Sequence, residues 1–508
     1  MPSRIELLHH EPVTYEEALN KSFNIIQRHE ELHAKNVFTA ELWRRRDSLA
    51  EIARHHLQLS PGDAVTVSPQ EKWLTGGFNM CVPVDVVAGT ETMRLLFKCP
   101  MPFKVAEANY PGSVDEKLRG EVGAYAWMQQ NCPGIRIPHL YGFGSPSYQY
   151  THCNALPWHR GLVLTFRRWL SNTLLRTPPP SRYFCHTTHR AMPFHYMLLE
   201  FIGPETGHVL VNSWSNMENP LCRKRLFRGM ASIILEMARA PQARIGSFRF
   251  NNDCTVTLAN RAMFAATAIL ESQGSPRTIQ EGQTYASTEP FVADMMSFYD
   301  ENLLFDRCAS HSEDDCRSLL ATRSFLRAVA HHFIRRESRN GPFLPQLTDL
   351  NGGNFFVDDD WNITCLFDLE WVCALPVECL EVPYWLAGVG IGDLTGDKLA
   401  EFSILRREFL DVLREEEAKL KLSWPLSSIM DKMWTTNGVW FWHSLASVDG
   451  ASWMVLDHLS LHFCVRLTVE DDKVLSQLWN HDAEETVQSK MDEFSKYAED
   501  VKELFKDN

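Results

Sequence analysis

The stretch from Gln346 to Asp368 constrains this chain more than any other. Two short apolar runs, Phe355–Val357 and Ile363–Phe367, flank the acidic turn Asp358-Asp359-Asp360-Trp361-Asn362. Strand-forming runs on either side of a turn-rich pentapeptide predict a β-hairpin. Asn354 enters the first strand and Asp368 leaves the second, so the return of the hairpin brings them together. Asp349 stands five positions before Asn354, on a loop loosened by Gly352-Gly353. The fold must therefore gather two carboxylates and one carboxamide at the end of a strand pair.

That order of side chains is the one phosphoryl transfer uses. A first Asp orients and deprotonates an attacking hydroxyl, while an Asn and a second Asp hold the magnesium ions that neutralise phosphate charge. Asp349 is accordingly the candidate base, and Asn354 and Asp368 are the candidate metal ligands. An isolated Asp-x-x-x-x-Asn would be weak evidence. The third member beyond a strand pair strengthens it.

The stretch resembles the aminoglycoside phosphotransferase-like family, small-molecule relatives of the protein kinases, and within it a large fungal branch. The resemblance rests on Leu347-Thr348-Asp349-Leu350, Asn354, Val357-Asp358-x-Asp360-Trp361-Asn362-Ile363-Thr364, Asp368-Leu369-Glu370-Trp371 and Pro383-Tyr384-Trp385-Leu386. It implies an α+β, bilobal, protein-kinase-like fold, with a small β-rich N-lobe and a large, mainly helical C-lobe. It also implies ATP with Mg2+, and a small-molecule hydroxyl as acceptor. The substrate is not implied. Leu347 and Asn351 stand where antibiotic-modifying members commonly have His, which removes a hydrogen-bonding prop from the catalytic loop.

The 508 residues, 44% hydrophobic and 22% charged, suffice for a large core. A formal net charge of −14 argues against nucleic-acid binding, which rewards a basic face. Thirteen cysteines are scattered without a C-x-x-C pair, no apolar signal segment opens the chain, and no run approaches a membrane span. A soluble, cytoplasmic protein with free thiols is the expectation, with no nucleic-acid or membrane partner.

Residues 1–60 read as a helical extension. Thr14-x-x-Glu17 is a capping-box signature with Leu19, Phe23 and Ile26 following at helical spacing, and a second helix is expected over Phe38 to Leu57. Residues 61–202 read as the N-lobe. Strands at Val65–Val67 and Val82–Val87 flank Leu74-Thr75-Gly76-Gly77-Phe78-Asn79, where the resemblance places a phosphate-covering loop through Gly76 and Gly77. Taken alone, the two glycines are an ordinary turn.

Lys98 ends the apolar strand Met93–Pro100, where an ammonium can reach phosphates or merely guard a sheet edge. Glu121 borders the buried stripe of a helix over Val114–Gln130 and is the expected partner of Lys98, with Glu116 as runner-up. Residues 145–193 read as a surface insertion. Its histidines and cysteines, among them His152, Cys153, His159, Cys185, His186 and His189, match no zinc template. His195–Gly203 reads as a last strand and connector whose Glu200 and Ile202 backbone groups would meet adenine in a kinase-like fold.

Residues 203–508 read as the C-lobe, with the catalytic loop at 346–371 and a helical tail. Helices are expected from Pro220 and over Leu319–Ile334, with a small hairpin segment from Ile245 to Arg261 between them. Glu370, Glu378 and Glu381 read as solvated loop charges clustered beyond the candidate metal ligands, with binding of a cationic or polyhydroxylated substrate as the alternative. Val487, Met491, Phe494, Ala498, Val501 and Phe505 form an apolar stripe that packs on the C-lobe or seals a dimer.

An ATP- and Mg2+-dependent phosphotransferase is the leading reading. A nucleotide-binding pseudokinase or scaffold is the alternative. A protein kinase is weaker still, because His-Arg-Asp and Asp-Phe-Gly tripeptides are missing.

Overall fold

A computed structural model describes residues 4–155, 158–175, 177–186, 192–420, 424–448 and 451–507. The fold is mixed: three larger sheets and a terminal hairpin are combined with many helices.

Eight strands form the largest sheet, with every pairing antiparallel. Its order is Ala64–Val67, Asn79–Ala88, Glu91–Pro100, Tyr196–Glu200, Leu140–Gly144, Gln149–His152 and Tyr183–Cys185, and the short Leu74–Thr75 lies against Asn79–Ala88. Period-two burial explains the pairing: Val82, Val84, Val86, Leu95 and Phe97 are buried together. Against that face pack Phe38, Leu42, Leu49 and Ile52. They come from two helices, Ile25–Arg44 and Arg46–Leu57.

The sequence predicts two helices here, one from Thr14 through Ile26 and one over Phe38–Leu57, where the structure has three with different breaks. A short helix, Tyr15–Leu19, is capped by Thr14 and Glu17 as a capping box, and the chain restarts at Asn24, whose side chain accepts from the Gln27 N–H at 3.2 Å. The second break falls at Arg45, which leaves the helical region. An opening hairpin, Ile5–Leu7 with His10–Val13, is too short for a periodic signal.

The 145–193 segment is not wholly a surface insertion. Its ends extend the large sheet, and Tyr150, Thr151, His152 and Tyr183 are buried there. His189 lies outside the described residues, as does the side chain of His159.

A four-stranded sheet, in the order Val256–Asn260, Gly246–Phe250, Val372–Leu375 and Leu344–Leu347, and a three-stranded sheet of His208–Val209, Phe355–Val357 and Ile363–Leu366 carry the 346–371 stretch. The helix Ser113–Asn131 joins this region to the large sheet. Gly123 permits the close approach, since a side-chain carbon there would sit 3.0 Å from the Arg249 backbone nitrogen. One turn on, Trp127 stacks on Phe248 with centroids 4.6 Å apart.

A buried ion network fixes the helix's rotation. Arg261 Nε lies 2.9 Å from Glu116 Oε1, Arg261 also pairs with Glu271, and Arg277 Nη2 lies 2.6 Å from Glu271. Glu116 is thus occupied and is not the partner of Lys98. Five residues further, at roughly 100° per residue, Glu121 faces another way.

The tail helix Ala483–Asp507 packs partly as expected and partly not. Val487 and Met491 meet Leu303 and Leu320, but Tyr497 and Val501 meet Ile5, Val13 and Ile25 of the N-terminal extension. The Tyr497 hydroxyl accepts from the Ile25 N–H at 2.9 Å.

Removing one member of a buried ion network strands the others, at a cost of about 3–5 kcal/mol. Arg261→Met is therefore expected to lower unfolding stability by about that amount in a urea titration. A loss under about 1 kcal/mol would contradict a structural role for this network.

Candidate active site

The predicted hairpin forms, and its turn shows why the acidic motif has its spacing. The Asp358 carboxylate accepts from the N–H groups of Asp360 (3.0 Å) and Asn362 (2.9 Å). Trp361 takes a positive φ of 65°, is fully buried, and donates its indole N–H to Ser213 at 3.0 Å. At the open end, the Phe367 N–H donates to the Asn354 carbonyl at 3.0 Å, so Asn354 and Asp368 become neighbours. Asp368 has φ 64°, a region costly for most residues but tolerated by Asp. The Asn354 side-chain oxygen accepts from the Asn351 N–H at 3.0 Å, which leaves its second lone pair.

The loop carrying Asp349 has a prop that the sequence did not reveal. Thr348 donates its hydroxyl to the Trp371 carbonyl at 2.7 Å, and Asn351 accepts from the Gly353 N–H at 2.8 Å. Leu347, where the resemblance places a His, packs against the core instead.

Lys98 stands at the centre. It is 7% exposed, and its ammonium lies 2.7 Å from Glu121, 2.7 Å from Asp368 and 3.8 Å from Glu370. The expected Lys98–Glu121 pair is therefore present, and Asp368 joins it. Beside it lies a second buried ammonium. Lys117, one helical turn before Glu121, reaches Glu370 at 2.5 Å, Glu121 at 3.5 Å and the Asn79 side-chain oxygen at 3.1 Å. Asn79 in turn donates to Glu370 at 2.8 Å. Two ammonium groups thus face three carboxylates.

The surplus negative charge shows in the titration of the cluster. Burial works against the charge of Lys98, but Asp368, Glu121 and Glu370 outweigh it and hold the ammonium protonated. Burial raises the Glu121 carboxyl despite both lysines. Glu370 is also penalised by burial, yet Lys117 and Lys98 pull it down to about 2. The Asp349 carboxyl is pushed up to about 6, first by partial burial and then by Glu370 and Asp368, against Lys98. As a residue Asp349 keeps an open solvent side.

Gly76 and Gly77 lie at the tip between Leu74–Thr75 and Asn79, where the Gly76 N–H donates to the Asn79 carbonyl at 2.9 Å and the space around Gly77 is open. Through Asn79 this turn connects directly to Glu370 and Lys117. Glu200 closes its strand, and its carboxylate is held by Arg136 at 2.8 Å and the His139 N–H at 3.0 Å, so its side chain is not idle. Ile202 follows, half-buried.

The three distal glutamates are neither solvated nor clustered, contrary to expectation. Glu370 is buried on the lysines. Glu378 is buried and accepts from the Ser338 hydroxyl at 2.5 Å. Glu381 pairs with His443 at 2.7 Å. Each had found a non-local partner that loop composition cannot show.

Asn79 and Lys117 were the site residues missed. The available signal was Lys117 four positions before Glu121, on the same helical face.

All thirteen cysteines are free. Among the described residues, no three His, Cys, Asp or Glu side chains are placed to hold a metal on their own, and no helix is long and apolar enough to cross a membrane. Asp368 and Asn354 offer only oxygen and leave coordination positions for phosphate and water, which suits Mg2+.

No family model matches the sequence, and a search of curated proteins finds no match. Among solved structures the chain is similar to a spectinomycin phosphotransferase, APH(9)-Ia, in complex with ADP and spectinomycin. The identity is 10%, covering 85% of this chain and 98% of that one, with a TM-score of 0.30. At that level the likeness supports no statement about activity.

Because native Asp349 holds its proton up to about pH 6, the stability it contributes is present in acid and is lost as pH rises through that value. Asp349→Asn is expected to raise the Tm of the ligand-free chain at about pH 8, with the difference vanishing by about pH 4. Thermal unfolding across that range checks it; an equal Tm at about pH 8 would count against crowding of the carboxylates.

Proposed function

We propose that the chain is a bilobal, kinase-like phosphotransferase that moves the γ-phosphoryl group of ATP to a hydroxyl of a small molecule. The observation that carries this reading is Lys98, buried on a sheet strand and held at 2.7 Å by both Glu121 and Asp368. A lysine so clamped is pre-aimed: its three N–H donors point where phosphate oxygens can replace a carboxylate. The free thiols fit a reducing compartment such as the cytoplasm.

The chain's own groups divide the work. The large sheet and the Gly76–Gly77 turn cover the nucleotide from one side, and the backbone after Glu200 meets its base. Lys98 holds the α- and β-phosphates, and Glu121 keeps the ammonium in place. Asn354 and Asp368 would hold Mg2+, which when bound neutralises charge on the phosphate oxygens. Asp349 orients the acceptor hydroxyl and takes its proton as the oxygen attacks the γ-phosphorus. The bond to the β-phosphate oxygen breaks, leaving ADP and a phosphate monoester. A carboxyl titrating near 6 is poised for that proton. No covalent enzyme intermediate is needed, since positioning and electrostatics supply the rate.

A catalytically silent nucleotide binder is the second reading, motivated by Leu347. The Thr348–Trp371 hydrogen bond weighs against it, since it props the loop where His is lost.

The test is phosphorylation of a metabolite pool with labelled ATP. Asp349→Ala is expected to lose labelled product by about 10²–10⁴-fold, with magnesium–ATP affinity changed only a few-fold. Equal turnover by wild type and variant would contradict the assignment; magnesium–ATP binding without product from wild type would favour the silent reading.

A further inference from the structure

A cavity of about 440 Å³ opens beside Asp349, within the range that takes a drug-sized ligand. Its walls come from the helix Pro220–Ala238, the helix Ala265–Ser272, the catalytic loop and the segments around Trp385 and Trp442. They are mostly apolar: Met230, Ile234, Phe291, Met295, Trp385 and Trp442 are representative, with Gln346, Thr348 and Asn351 among the polar exceptions. Among the described residues, no Lys or Arg lines it. Its carboxylates are Asp349 and Glu381. Glu381 is not available to a cation. Its partner His443 is half-buried, with Nε2 at 2.8 and 2.7 Å from the two Glu381 oxygens; although burial opposes the charge, Glu381 outweighs it and raises the imidazole above its ordinary value. Both oxygens of Glu381 are thus engaged by the imidazole. Among the described residues, Asp349 is thus the one carboxylate of the wall without an ion-pair partner, and the phosphotransfer reading needs it for the hydroxyl.

A polyamino sugar would bring several ammonium groups into this space and find one carboxylate, already engaged. Each unpaired cation would be desolvated at a large cost. An anionic acceptor would find no lysine or arginine. An apolar body would gain about 25 cal/mol for each Å² it removes from water.

We infer that the acceptor is an uncharged alcohol with a largely apolar body, seated in this cavity with its hydroxyl at Asp349. This rests on the phosphotransfer reading for the fate of the hydroxyl, but the cavity's preference is testable by itself. The probe is pyrenebutanol, whose pyrene accepts excitation energy from tryptophan, and two tryptophans line the wall.

Titrated into the full-length chain without nucleotide, pyrenebutanol should give saturable energy transfer at one site. Ile234→Phe and Ala266→Phe, which fill the cavity from different helices, should each weaken it by about tenfold, and kanamycin should not displace it. Magnesium–ATP binding measured on the same preparations serves as the fold control. No saturable transfer in wild type that binds magnesium–ATP would overturn the inference and leave the phosphotransfer reading standing. So would undiminished binding in both filled variants, or displacement by kanamycin. Cavity binding as expected, in a chain that fails to bind magnesium–ATP, would support the cavity's preference and sink the phosphotransfer reading.

Discussion

Burying an ammonium group costs several kcal/mol unless carboxylates are brought to meet it, and this chain buries two side by side. Lys98 arrives on a strand of the large sheet, Lys117 and Glu121 on the connecting helix, and Asp368 and Glu370 on the segment beyond the hairpin. None of these elements can shift without stranding a charge. The cluster therefore acts as a clamp between the large sheet and the region carrying Asp349. Its uneven sum, two ammonium groups against three carboxylates with Asp349 nearby, leaves a negative site whose surplus a divalent cation would neutralise.

The rest of the architecture serves that clamp. Arg261 and Arg277 hold Glu116 and Glu271, and so set the rotation that turns Glu121 toward Lys98. Gly123 lets the helix approach the Gly246–Phe250 strand. Asn79 ties the glycine turn to Lys117 and Glu370, so that turn is coupled to the ammonium–carboxylate cluster. Asp358 and Trp361 fix the hairpin, and the hairpin fixes the distance between Asn354 and Asp368.

What could be read from the sequence was local. The Phe355–Val357 and Ile363–Leu366 strands, the strand ending near Lys98 and the helix bearing Glu121 follow from short-range period and turn chemistry. Lys98 and Glu121 could be paired because a charge beside a buried stripe needs a partner. The identity of Glu370's partners could not. Asn79 and Lys117 lie hundreds of positions away, and nothing in an acidic loop distinguishes a buried carboxylate from a solvated one. The same holds for Glu381 with His443. The helix boundaries near Asn20 and Arg45 were hidden because backbone breaks there leave the apolar spacing nearly intact, and the strands at Gln149–His152 and Tyr183–Cys185 were hidden within polar, proline-rich surroundings.

The central claim is that the Lys98 clamp holds Asp368 and Asn354 ready for one divalent cation shared with a nucleotide. Anomalous diffraction from crystals grown with Mn2+ and a non-hydrolysable ATP analogue tests it most directly. The account predicts a metal peak in coordination contact with Asp368 and Asn354, with Lys98 on a phosphate oxygen and still paired to Glu121. A bound nucleotide whose metal lies away from both side chains, with Asp368 still locked on Lys98, would contradict it.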